Sequence, residues 1–194
     1  MDDGTGTGHR LAAKRMLKPR FSLQNFMLNS HELLGFMSPA LATDILQFTF
    51  DSDKPAYKAT LSAVAQAKHV RPVFLERQPR EARHLAMLTA LTKPQLDAAA
   101  AALLRAWLVK KHKAMLADFL NALDIPNEDG VVEDLPSAPD DARLKAAVEV
   151  LLGKYVHEVV AVYLNAFNDM NTANWPNLKT MLESDARLQL GNHA

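Results

Sequence analysis

Several groups of side chains in this chain have the types and spacing to do chemistry. The densest is basic: Lys68, His69, Arg71, Arg77, Arg80, Arg83 and His84. Guanidinium forks match the geometry of phosphate and carboxylate, so Arg71, Arg77, Arg80 and Arg83 are candidate contacts to an anion or a nucleic acid. One aromatic, Phe74, stands among them. That is too few for the stacking platforms that hold single strands, and no nucleic-acid motif accompanies it. A second basic knot is Lys110, Lys111, His112 and Lys113. Leu104, Leu108, His112, Met115 and Phe119 recur at helical spacing, which puts His112 on an apolar line.

Metal chemistry fares poorly. Glu81 and His84 have Glu-x-x-His spacing, half of what a di-iron bundle repeats. No second copy exists, and Arg83 beside it would repel a cation. His157-Glu158 lacks the second histidine of a zinc helix. The acidic run ending at Gly130 fails as a calcium loop, because the required carboxylate positions fall on Ile125 and Pro136. Asn165, Asn168, Asn171, Asn174 and Asn177 recur every three residues. Asn165 and Asn168 share a thin polar stripe with Glu158, and with His112 these form a candidate polar pocket for a small ligand. No nucleotide loop and no nucleophile elbow is present. The reading names no catalytic residue, no metal ligand and no cofactor, and it leans away from an enzyme.

The elements that would position these groups are helical. The chain has 194 residues, 30 of them Ala and 29 Leu, with 7 Gly and 10 Pro. Ala and Leu lose little freedom in a helix. A polar cap followed by proline recurs at Ser38-Pro39 and Asp53-Lys54-Pro55, and Asn174 or Trp175 precedes Pro176, the pattern of helix starts. These signals predict helices over about 38–50, 53–69, 80–91, 92–123, 139–153, 155–170 and 174–190. Pro72 and Pro79 bracket an irregular piece, and an acidic, proline-bearing loop spans 124–139. The stretch from Tyr155 is apolar nearly all round, as a central helix should be. No hairpin signal appears. The expectation is an all-α fold, a single irregular bundle of six to seven helices over 38–190, preceded by a flexible leader over 1–37.

Charge bounds the function classes. Basic and acidic residues balance at 22 each, yet residues 54–113 hold twelve basic against three acidic, and residues 114–194 five against thirteen. Either the acidic part covers the basic middle, or one surface stays basic. Zero cysteines exclude disulfide, thiol and Cys-metal chemistry. The absence of a long apolar run and of a secretory signal leads to the expectation of a soluble, cytoplasmic protein with no membrane partner. The leading expectation is a non-enzymatic protein–protein interaction or self-associating module, with a protein partner or a second copy. Nucleic-acid binding through 54–113 is the alternative, followed by a ligand-binding bundle.

Overall fold

The computed structural model describes residues 28–132, 134–170 and 175–191. Within them, caps and prolines start helices where the sequence predicts. Ser38 accepts from the Leu41 amide and starts α2 (Pro39–Ser52). Asp53 accepts from Ala56 and starts α3 (Lys54–Ala67). Asp140, one residue beyond the expected start at 139, caps α8 (Asp141–Lys154), its carboxylate accepting from the Arg143 amide. The helices α5 (Arg80–Leu91) and α9 (His157–Met170) also match their expected positions, whereas the helix expected over 174–190 is shorter: α10 (Pro176–Ser184) closes at Asp185 and a 3₁₀ turn (Ala186–Leu188) follows. The fold is all-α; among the described residues the only strand-like pairing is one isolated bridge between Glu128 and Val131.

Ten α-helices occur among the described residues, against the six to seven expected. Three differences account for this. First, α1 (Ser30–Phe36) lies inside the stretch assigned to the leader. Its Leu33 and Leu34 and the following residue Met37 are buried, and it packs on α9 and on α6 (Asp97–Lys111). The helical unit therefore begins before Ser38, because three apolar side chains leave water there. The rest of the expected leader, residues 1–27, lies outside the described residues. Second, the piece bracketed by Pro72 and Pro79 contains a one-turn helix, α4 (Pro72–Glu76), anchored by buried Leu75. Third, the long helix expected over 92–123 is broken. A 3₁₀ turn (Pro94–Leu96) precedes α6, and His112 (φ −117°, ψ 21°) separates α6 from α7 (Lys113–Ala122). The Thr92 hydroxyl, at the expected start of that helix, donates back to the Thr89 carbonyl instead of capping it.

Two helices organise the packing. α6 touches α1, α2, α3, α5, α7 and α9, while α9 touches α1, α6, α8, α10 and the 3₁₀ turn Ala186–Leu188. The enclosure of α9 follows from its composition: Val159, Val160, Ala161, Val162, Tyr163 and Leu164 are buried in succession, as a helix apolar on all sides requires. Its β-branched residues lower helix propensity slightly, and tertiary burial outweighs that. The acidic loop turns at Gly130 (φ 81°), where a Cβ would lie 2.4 Å from that of Leu116 on α7. A side chain has no room at that point.

Candidate interaction surface

The basic segment 68–83 forms the corner where α3 hands over to α4 and α5. The α3 terminus closes with the His69 amide donating to the Gln66 carbonyl at 3.0 Å and Val70 to Ala65 at 2.9 Å. This is the paired closure of a Schellman motif, and His69 holds its left-handed position with φ 55° where glycine is usual. The tight exit brings Arg71 to cap α4, leaving Val70, Val73 and Phe74 exposed at 40%, 39% and 57%.

The four candidate arginines divide into two pairs. Arg83 is structural: its Nε donates to the Tyr57 hydroxyl at 2.8 Å and its guanidinium to the Glu76 carbonyl at 2.9 Å. It also lies over the Phe50 and Tyr57 rings, and Arg80 lies over Phe50. Beneath them His84 is buried against the same two rings, 5.7 Å from Tyr57. Burial, then the charges of Arg83 and Arg80, push the His84 imidazole below its usual range. Burial raises the Tyr57 hydroxyl, with Arg83 opposing. The Glu81-x-x-His84 pair is thus divided, since Glu81 is exposed while His84 is enclosed. Arg71 and Arg77 are both exposed and, among the described residues, enter no ion pair.

The second basic knot is neutralised. Lys110 meets Asp53 at 2.7 Å, Lys111 meets Asp44 at 2.5 Å, and Lys113 meets Asp129 at 3.0 Å. The hydrogen bond from Lys110 holds the buried Asp53 carboxyl below its ordinary range, against the opposing effect of burial. Among the described residues, the Lys113–Asp129 bridge alone links the basic middle to the acidic C-terminal part. Carboxylates there instead meet local partners, as Asp124 does with Arg143, Asp118 with Lys154, and Glu149 with Arg187. Among the described residues, nothing acidic from that part reaches residues 68–83 through an ion pair.

No family model, curated protein or solved structure matches this chain. The geometry alone therefore carries the reading.

The residues of the expected polar pocket have separate engagements. His112 sits at the α6–α7 break with its ring 4.4 Å from that of Trp107, and burial lowers its pKa. Glu158 receives the Ser38 amide at 2.5 Å and the Ser38 hydroxyl at 2.8 Å, so it reinforces the start of α2. Asn165 donates to the Ala161 carbonyl one turn back, and Asn168 is buried further along α9. Two open grooves mark the surface, and none of these four residues lines either. One, about 640 Å³, lies between α8 and α10. Its central cation, Arg187, is already held by Glu149 at 2.6 Å and Asp185 at 2.7 Å. The other, about 470 Å³, runs between α3 and the start of α6 over Ala63, Ala67, Ala98 and Ala99. His69 lines it, so this groove adjoins the basic corner.

Among the described residues, no three His, Asp or Glu side chains gather as a metal-binding group, and no helix is long and apolar enough to cross a membrane. Sequence reasoning found the arginines of the corner but passed over Val70 and Val73. The available signal was three apolar residues in a five-residue stretch between basic ones, too short to show any periodicity.

Proposed function

We propose that this chain is a non-enzymatic interaction module that presents residues 68–77 to another protein. One observation carries the reading. Val70, Val73 and Phe74 stay exposed beside Arg71 and Arg77, cations without ion pairs among the described residues, while the other basic cluster is neutralised within the fold. Exposed apolar side chains ringed by polar ones mark interaction sites more often than single exposed residues do. Aromatic and arginine side chains are the usual anchors of such sites. The reading takes the helices as one bundle working in the cytoplasm. Nucleic-acid binding is supported by Arg71 and Arg77 but loses Arg80 and Arg83, whose guanidinium groups already lie on aromatic rings.

A photoreactive phenylalanine analogue at position 74, irradiated in the producing cell, tests this. The expected product is a discrete protein adduct, diminished by Arg71→Glu with Arg77→Glu. An adduct of twice the chain mass identifies the partner as a second copy. A nuclease-sensitive adduct transfers the assignment to nucleic acid, and no adduct at all refutes the surface.

A further inference from the structure

We infer that the partner docks an acidic amphipathic helix on this corner, its apolar face on Val70, Val73 and Phe74 and its carboxylates on Lys68, Arg71 and Arg77. The inference rests on the interaction reading above and adds the chemistry of the partner. Three observations converge on it. Lys68, Arg71 and Arg77 are exposed and form no ion pair among the described residues. An acidic surface complements them, and complementary charge sets register and speeds encounter. Val70 stands exposed just before α4, and Val73 and Phe74 are exposed on that one turn. The groove over Ala63, Ala67, Ala98 and Ala99 continues the surface past His69, flanked by the amides of Gln66 and Gln95. An amphipathic helix laid into an apolar groove is a recurrent recognition mode.

The occupant is a protein rather than a polyanion because carboxylates interleave with the cations. Glu76 is exposed within the docking segment and Glu81 just beyond it. Either would be set against the phosphates of a nucleic acid or an anionic bilayer, whereas a helix can place a basic or neutral residue opposite each. The chain's own first 27 residues are a poor occupant, since they hold five basic side chains against two acidic.

The experiment uses two labelled synthetic peptides, each about 18 residues and roughly 27 Å long as a helix. Both carry the same leucine face; one has a glutamate polar face and the other a lysine one. Fluorescence anisotropy against the full chain should show binding of the glutamate peptide that weakens with salt. Arg71→Glu with Arg77→Glu, and separately Phe74→Asp, should each weaken it at least about tenfold, or 1.4 kcal/mol. Lys113→Glu, in the neutralised cluster, should change it less than about twofold. Circular dichroism checks that each variant remains folded, and every substituted side chain is exposed. Equal binding of the lysine peptide overturns the inference. So does the lack of glutamate-peptide binding, whether or not phosphatidylserine vesicles or an oligonucleotide bind through Arg71 and Arg77 instead. A protein adduct at position 74 with no acidic-peptide binding leaves the interaction reading standing and removes this one.

Discussion

Replacing Arg83 by alanine should destabilise the protein far more than replacing Arg71 or Arg77, although the three arginines look alike in the sequence. Arg83 makes two hydrogen bonds, to the Tyr57 hydroxyl and the Glu76 carbonyl, and lies 5.6 Å from the Phe50 ring centroid. A hydrogen bond from a charged donor contributes about 1.5–3 kcal/mol when well buried, and a cation over a ring about 0.5–1 kcal/mol at a wet site. Arg83 is half-buried, so solvent screening discounts each contribution and takes the sum below the roughly 3.5 kcal/mol that their low ends would give. Tyr57, at 5% exposure, would be left with a hydroxyl short of a partner, which adds to the loss. The expected cost is about 2–3 kcal/mol, a fall in melting midpoint of roughly 4–12 °C for a chain of this size. Arg71→Ala and Arg77→Ala should stay within about 0.5 kcal/mol, as surface changes do. Urea unfolding followed by circular dichroism measures all three. A cycle with Tyr57→Phe should show coupling of about 1 kcal/mol or more between positions 57 and 83. If Arg83→Ala matched its two neighbours, or the cycle gave no coupling, the division of the arginines into structural and free pairs would be wrong.

Other perturbations test the remaining parts. Starting the chain at Ser38 rather than Leu28 should cost several kcal/mol in urea, because Leu33, Leu34 and Met37 are buried and each contributes about 1.5–3 kcal/mol; an unchanged midpoint would detach α1 from the core. Acidification should erode stability below about pH 6.5, the ordinary histidine value. His84 and His112 have lowered pKa values, so the folded state binds fewer protons than the unfolded one in that window, and their contribution is complete above it. Asp169, raised by burial, acts in the opposite sense nearer the carboxylate range. Unfolding in urea at a series of pH values should flatten for His84→Gln, and an unaltered slope would clear that residue. His69→Gly should stabilise by about 1 kcal/mol by relieving the left-handed backbone, read as a higher melting midpoint; a loss would mean the imidazole contributes more than its backbone costs.

Cap chemistry made most helices legible, since Ser38 and Asp53 act locally and α9 announces its burial by being apolar on every side. What stayed hidden depends on tertiary partners. The α6–α7 break at His112 carries no proline or glycine, and the apolar line through Leu104, Leu108, Met115 and Phe119 reads as one helix because all four side chains are buried on both sides of the break. α1 is seven residues long, too short for a stripe to emerge, and its place follows from α6 and α9. In the candidate site, the charge count showed a basic middle but not that Asp44, Asp53 and Asp129 would neutralise one knot and leave the other. Tyr57 and Phe50 lie about 25–35 residues before the arginines they hold, so no local pattern could separate Arg83 from Arg77.

The clamp between Ser38 and Glu158 has a consequence for the order of folding. The two residues are 120 positions apart, and α1 likewise rests on α9 while Asp97 at the head of α6 holds the His31 amide. During synthesis the earliest helices emerge long before α9 exists, at about 5–20 residues per second. For that interval the nascent chain shows the ribosome exit its unsheltered Leu33, Leu34 and Met37. Closing so distant a contact raises contact order and slows folding relative to a bundle of neighbouring hairpins. The start of α2 is completed only when the last third of the polypeptide arrives, which makes α9 a latch on work begun at the other end.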